Sequence, residues 1–325
     1  MKIIEIQPTE IDLEKYKKRS ALETDVENLI TEDTIITTNG EPVIMYCKLQ
    51  ENLDALRWAV KTMKYEVGPR TLGLVSQSRI FGYRPRITVR HDFCNPTSLA
   101  TEYPKQHHII TEFASELTKY YQNNFPDVYE KHAQIVNEKI LPDWKIDNSV
   151  FTSGIVNKDN PLKYHFDSGN FKGVLSNMVA FKKNVAGGNL VIPAYNIKLE
   201  ISDSSLCIFD GQSILHGVSP FTAVKPEQEH YRYTIVYYSL EQMWKCEPYG
   251  AEIKRIRKRK KEQEKKRLDP EHLATLSAAA AERIKDNQKE VQTVLSKNKA
   301  KINPKHRDYK LFTESNQNTT QNAET

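Results

Sequence analysis

The run Lys163-Tyr164-His165-Phe166-Asp167-Ser168-Gly169 sets an imidazole and a carboxylate two residues apart. In an extended strand, residues i and i+2 project from the same face, so His165 and Asp167 converge on one point. A second imidazole, His216 in Ser213-Ile214-Leu215-His216-Gly217, is the best partner for completing a divalent-metal site. Two His and one carboxylate on one face, with the other coordination positions open, suit a non-haem Fe(II) centre that handles O2. His165, Asp167 and His216 are therefore the expected metal ligands.

Context strengthens this reading beyond a chance triplet. His165-x-Asp167 opens a β-rich half, directly after the irregular stretch Asn157-Lys158-Asp159-Asn160-Pro161. His216 closes a short strand after an Asp210-Gly211 turn. Arg232 then begins the apolar run Tyr231–Tyr238, where a guanidinium needs a partner because a buried unpaired charge is costly. A dicarboxylate such as 2-oxoglutarate supplies that partner. Its keto and adjacent carboxylate oxygens can chelate iron, while its distal carboxylate makes a bidentate, charge-assisted pair with Arg232. Blander roles compete for each residue taken alone. His216 before Gly217 reads as a turn histidine, and Arg232 could pair with Glu229 or Asp203. His230 shares a face with Arg232 but reads as an exposed edge residue, and His107-His108 read as solvent-facing near a helix start. His91-Asp92 are adjacent, would point to opposite faces of a strand, and are discounted as ligands.

The elements that must position these groups divide the chain in two. Residues 1–30 give only a weak helical pattern. Thr34–Thr38, Asn39-Gly40 and Val43–Tyr46 form a hairpin signal, with Pro42 arguing against the tight two-residue register. Residues 52–64 and 105–122 have helical periodicity, and Pro126-Asp127 opens a further helix stopped by Pro142. Ser78–Ile87, dense in Arg, Gly, Pro and aromatics, reads as a loop. From residue 150 short β runs follow: Leu175–Phe181, Leu190–Ile192, Ile197–Ile201, Ser205–Phe209, Ile214–His216 and Tyr231–Tyr238. Turn signals separate them, which indicates an antiparallel sandwich or barrel.

Composition narrows the class. Residues 1–248 carry 28 Lys/Arg against 31 Asp/Glu, whereas residues 249–325 carry 19 against 11, so the basic excess is C-terminal. Lys254 to Arg267 alone holds ten Lys/Arg and two Glu. Asp269-Pro270 reads as a helix start before an Ala-rich helix over 273–297, and an Asn/Thr/Gln-rich disordered tail follows. No run is long enough for a membrane span, and the N-terminus lacks a signal-peptide core. Cys47, Cys94, Cys207 and Cys246 lack metal-type spacing and read as reduced, mostly buried thiols of an intracellular protein.

Several stretches resemble the TET/JBP group, the Fe(II)- and 2-oxoglutarate-dependent dioxygenases that oxidise the 5-methyl group of pyrimidines in nucleic acid. They are Tyr164–Asn170, Gly187-Gly188-Asn189-Leu190-Val191-Ile192-Pro193-Ala194-Tyr195, Phe209-Asp210-Gly211 with Leu215-His216-Gly217, and Arg232. Arg79–Arg86 and Phe151–Asn157 are similar to upstream elements of that group. The resemblance spans roughly residues 34–240 and looks closest to the JBP-type thymine hydroxylases.

What it implies is an α+β fold: a double-stranded β-helix (jelly-roll) core over about 150–240, flanked by N-terminal helices and followed by a C-terminal basic helical extension. The implied domains are 1–248 for the dioxygenase, 249–300 for the extension and 301–325 for the tail. The implied cofactors are Fe(II), 2-oxoglutarate and O2, with His165, Asp167 and His216 on iron and Arg232 on the distal carboxylate. Some relatives have an Arg shortly before the first iron histidine, where this chain has Asn160 and Lys163. A second co-substrate anchor is thus unassigned, with Arg79, Arg84 and Arg86 as loose candidates. Asn157 and Asn170 are candidates for reading the base edge, since an amide both donates and accepts.

The expected partner is nucleic acid, DNA first, held by the pocket and by the run Lys254 to Arg267, since phosphate contacts offset the cost of extruding a base. No membrane or protein partner is expected. The setting is the nucleus, or the cytoplasm of a prokaryotic or virus-infected cell. The alternatives are a 2-oxoglutarate-dependent hydroxylase of a protein side chain such as proline, and a metal-free nucleic-acid-binding module.

Overall fold

The computed structural model describes residues 1–69, 75–86, 93–269, Glu271 and Glu282. In the first half lie β1 (Lys2–Glu5), α1 (Leu13–Tyr16), β2 (Asn28–Ile30), β3 (Thr34–Thr38), β4 (Glu41–Lys48) and α2 (Asp54–Thr62). After them come β5 (Glu66–Pro69), β6 (Val75–Arg84), β7 (Asn95–Pro96), α3 (Ser98–Glu102), α4 (Pro104–Glu112), α5 (Ala114–Asn124) and α6 (Pro126–Lys139). The β-rich half comprises β8 (Ser153–Lys158), β9 (Leu162–His165), β10 (Ser176–Lys183), β11 (Val185–Gly187), β12 (Leu190–Ile192) and β13 (Ile197–Leu199). It continues with β14 (Ser205–Phe209), β15 (His216–Val218), β16 (Phe221–Ala223) and β17 (Tyr231–Tyr238), before α7 (Tyr249–Leu268). Residues 1–254 form one compact unit and 255–325 a second.

Two sheets build the mixed α+β core. The larger runs β1-β3-β4-β14-β10-β17-β8-β6-β5, and the smaller runs β2-β13-β12-β15-β9. Strands from the first half enter both sheets, so the halves expected from sequence interlock. The period of two along each strand explains how the sheets pack. On β4, Met45 and Cys47 turn toward α2, α4, α5 and α6, where they join Leu56, Ile110, Leu117, Tyr121 and Val136 in one apolar cluster. The alternate residues Ile44 and Tyr46 turn the other way, meeting Leu190, Ile192, Ile197 and Leu199 of the smaller sheet. On β17, Tyr233, Ile235 and Tyr237 face the helices, which leaves Arg232, Thr234 and Val236 on the face toward the smaller sheet.

Several expectations hold in detail. The β3–β4 hairpin has a register shift between Ile36 and Thr37, the irregularity that Pro42 implied. Pro126 opens α6, and Pro142 follows its end. Others need correcting. The weak helix over 1–30 is a strand, a single helical turn, a 3-10 turn and a second strand; β1 and β2 owe their conformation to parallel pairing with β3 and β13. Ser78–Ile87 is not a loop as far as it is described, because β6 is paired to β8 on one side and β5 on the other. Within β6, Gly82 takes φ +73°, and a Cβ there would meet Thr152 O at 2.7 Å. The helix over 105–122 is two helices broken at Phe113, where the Thr111 hydroxyl donates back to the carbonyls of His107 and His108 and disturbs the turn.

The four cysteines are not all reduced. Cys94 and Cys246, 152 residues apart in sequence, form a disulfide, while Cys47 and Cys207 stay free and buried. No local spacing could reveal that pair, since only the tertiary fold brings the two ends together. His91-Asp92, the helix over 273–297 and the tail lie outside the described residues. No helix among the described residues is long and apolar enough to cross a membrane.

His132 on α6 is fully buried under the rings of Tyr121, Phe151 and Phe171. The Ser239 hydroxyl donates to Val150 O at 2.6 Å, so it accepts from His132 Nε2–H at 2.9 Å, and Nδ1 has no partner. Burial pushes the His132 pKa down to about 3 from the ordinary 6.5. The unfolded chain therefore binds a proton that the folded chain refuses. Stability is complete above pH 6.5 and is lost as pH falls toward 3, by up to about 1.4 kcal/mol per unit from this group. Denaturation midpoints measured across that window should show the slope, and His132→Gln should flatten it.

Candidate metal and co-substrate site

Antiparallel pairing of β15 with β9 sets His216 opposite His165. Their rings lie 4.4 Å apart between centroids, and His165 Nε2 is 3.6 Å from Asp167 Oδ1. One donor atom from each of His165, Asp167 and His216 lies within 4.8 Å of the other two, a spacing that could hold a metal ion. Backbone carbonyls settle the tautomers. His165 Nδ1–H donates to Lys163 O at 2.8 Å, and His216 Nδ1–H donates to Ile214 O at 2.9 Å. A carbonyl can only accept, so both Nε2 atoms keep their lone pairs for a metal. Burial lowers the His216 pKa, with the Asp167 carboxylate opposing, and so favours the neutral imidazole that coordinates.

Asp167 is placed by its backbone as well as by the turn opposite. Its N–H donates to Gly211 O at 2.8 Å, and a Cβ on Gly211 would lie 2.3 Å from Asp167 Oδ2. The Asp210-Gly211 turn is therefore what leaves space for the carboxylate. Phe209 closes the wall, its ring edge-on to His216 at 5.0 Å.

Arg232 is 1% exposed. Its Nε–H donates to Gly188 O at 3.1 Å, its guanidinium lies 5.8 Å from the Phe221 ring, and its buried Nη2 has no protein partner. Burial pushes its pKa down to about 10, against the pull of Asp159, so it stays cationic at neutral pH. Neither sequence alternative for its partner occurs. Glu229 pairs with Lys61 and Lys183, and Asp203 with Arg57. The Gly187-Gly188 corner makes the close approach possible: Gly188 has φ +71°, and a Cβ would meet Arg232 Cδ and Nε at 2.8 Å.

The triad and Arg232 line a single cavity of about 780 Å³, together with Asn157, Asn160, Asn170, Thr234 and Tyr238. Asn157 Nδ2 donates to Thr234 Oγ1 at 3.4 Å and Asn157 Oδ1 accepts from Asn160 Nδ2 at 3.3 Å, while Asn170 Nδ2 donates to Ser176 Oγ at 3.2 Å. The residues present fit the implied groups: two neutral imidazoles and a carboxylate suit Fe(II), and a desolvated guanidinium with an unsatisfied N–H suits a carboxylate.

Other candidates fall elsewhere. Arg79 pairs with Glu66 and Glu102, and Arg86 with Glu247 and Glu252. Neither they nor Arg84 line the cavity. For Arg79 the reason is strand parity: it sits opposite Val156, which faces the helices, whereas Asn157 faces the cavity. His230 is exposed and outside the cavity, and His108 is exposed, but His107 is not solvent-facing; its Nε2 accepts the Gly82 N–H at 3.1 Å. The N-terminal stretch around α1 had no signal in its own pattern, yet Leu13, Glu14, Tyr16, Lys17 and Lys18 line the cavity mouth.

Residues 87–241 match the Tet_JBP family model, described as the oxygenase domain of the 2OGFeDO superfamily. Among solved structures, NgTET1 in complex with 5mC DNA is similar at a TM-score of 0.47 and 14% identity, over 67% of this chain and 84% of that one. A 2OG-Fe(II) oxygenase family oxidoreductase from Burkholderia pseudomallei is similar at 0.41 and 10%, over 60% and 85%. No curated protein matches.

Two glycine variants test the geometry separately. Gly211→Ala should displace Asp167 and weaken divalent-metal affinity about 10- to 100-fold in anaerobic calorimetry, with 2-oxoglutarate's arginine site untouched. Gly188→Ala should displace Arg232 and weaken 2-oxoglutarate binding, with metal affinity retained.

Proposed function

We propose, for a 2-oxoglutarate/Fe(II)-dependent dioxygenase whose residues 87–241 are a Tet_JBP oxygenase domain, that the substrate is a pyrimidine base in DNA, thymine or 5-methylcytosine, hydroxylated on its 5-methyl group. The observation that carries this reading is the meeting, in one cavity, of a His-Asp-His group with a buried arginine whose Nη2 has no protein partner. Facing sheets with the site between them support the jelly-roll reading of the core, within a dioxygenase domain of residues 1–248.

His165, Asp167 and His216 would hold Fe(II), and Arg232 would hold the distal carboxylate of 2-oxoglutarate. With both bound, the centre would supply O2-driven C–H hydroxylation coupled to oxidation of 2-oxoglutarate to succinate and CO2. The protein's own part is positional. The Lys163 and Ile214 carbonyls keep both Nε2 atoms unprotonated, and the Gly188 carbonyl aims the guanidinium. Asn157 and Asn170 line the same cavity with buried amides, which supports a role in reading the base edge. A base in a duplex must be extruded to reach such a cavity, at a cost of a few kcal/mol. The ten Lys/Arg between Lys254 and Arg267, on α7, can offset that cost through phosphate contacts.

Two measurements follow. Mass spectrometry of nucleosides from DNA treated with protein, Fe(II), 2-oxoglutarate and ascorbate should reveal a hydroxymethyl pyrimidine, absent with His165→Ala. Succinate formed with a proline peptide and not with DNA would refute the substrate. Removing residues 255–325, which spares the buried Glu252 bonded to Arg86, should weaken DNA binding and flatten its salt dependence, with metal affinity retained. Unchanged affinity at low salt would show that the basic run takes no part.

A further inference from the structure

The mouth of the cavity is built by a segment that the chemistry of the site does not require. Tyr16 is buried edge-on against Tyr164, with ring centroids 4.9 Å apart. Tyr164 N–H donates to Arg19 O at 3.0 Å, Ser20 bridges to Lys163, and Tyr164 Oη–H donates to Asp25, which also pairs with Arg19. Residues 16–25 are thus fastened along β9, the strand that carries His165. To make the turn after α1, Lys18 takes a left-handed φ of +57°, uncommon outside glycine.

This arrangement brings exposed Lys17 and Lys18, and half-buried Lys163, to the opening. Glu14 is the acidic side chain lining it besides Asp167, and it is bonded to Lys17 at 2.9 Å. Beside these cations stands Phe166. Its neighbours His165 and Asp167 turn to the metal site, while Phe166 lines the mouth and remains 40% exposed. An exposed flat ring among lysines, at the entrance to a cavity with room for more than a small dicarboxylate, has the chemistry of a single-stranded nucleic-acid platform.

We propose that this rim is the substrate-strand site: Lys17, Lys18 and Lys163 hold backbone phosphates, and Phe166 stacks on a base next to the one that enters the cavity. The inference rests on the proposed nucleic-acid substrate and adds the residues and the strand state. Single-stranded or locally opened DNA is what the rim grips, because one ring can stack only on a base freed from its own neighbour.

The test uses the full-length protein with Mn(II) in place of iron and an unmodified single-stranded oligonucleotide, followed by anisotropy at several salt concentrations. An acidic peptide of similar length serves as the other arm. The double variant Lys17→Glu/Lys18→Glu should lower the salt slope by about 1.4, at about 0.7 per phosphate contact. Phe166→Ala should weaken binding about 5- to 100-fold, with Phe166→Tyr restoring it. Retained 2-oxoglutarate binding by calorimetry shows that each variant is folded. Unchanged affinity and slope in the lysine variant, no loss with Phe166→Ala, or a rim that holds the acidic peptide and not DNA, each overturns the proposal. DNA binding that depends on the rim without a hydroxymethyl product would sink only the proposed reaction. A product that forms at full rate with the rim reversed would sink only the rim.

Discussion

The site depends on one strand register. β15 lies antiparallel to β9 with His216 opposite His165, and a slip of one residue would turn either imidazole to the other face of the small sheet. The register is secured around the pair rather than at it. β15 is also hydrogen-bonded to β12, and β12 to β13, so the strand carrying His216 is held from both sides. A Cβ on Gly217 would meet Ala21 Cβ at 2.7 Å, which packs the N-terminal segment close against the same strand.

The larger sheet does the complementary task. Its strands are apolar on the helix face and mixed on the cavity face, so the fold can bury Arg232 without placing it in the main apolar cluster. Helix packing by Tyr233, Ile235 and Tyr237 holds β17 in place. Each fully buried side chain of that size contributes roughly 1.5–3 kcal/mol, enough to offset part of the cost of desolvating the arginine on the same strand. Lys182, opposite Arg232 on β10, donates to Gly187 O at 2.7 Å, and burial with the nearby guanidinium lowers its pKa.

The same economy appears at the chain's far connections. Glu252, fully buried, accepts from Arg86 and from the backbone N–H groups of Cys94 and Glu247, beside the Cys94–Cys246 disulfide. This knot ties the start of α7 to the segment after β6. The buried carboxylate is compensated there by the Arg86 guanidinium and two backbone N–H donors.

How much could be read beforehand follows from the range of each interaction. His165 ends β9 and Asp167 follows beyond the strand, so the strand pattern that implies their convergence only half applies. The Tyr231–Tyr238 run marks Arg232 as buried, which was legible from local periodicity. The hairpin at Asn39-Gly40 and the proline-bounded α6 were legible for the same reason. That Arg79 points away from the cavity was not legible, because its strand parity is visible only once β6 is known to pair with β8. The disulfide, the N-terminal wall of the mouth and the partners of β1 and β2 had no local signal at all. The sequence by itself determined the residue types that could hold a metal and the arginine set in an apolar strand, whereas the strand bounds differ from its pattern: β9 ends at His165, before Asp167, and His216 opens β15 rather than closing a strand. Only the tertiary structure decided that these groups share one cavity and what rims it, because pairing between distant strands is set by burial of whole sheet faces, a quantity no short stretch of chain contains.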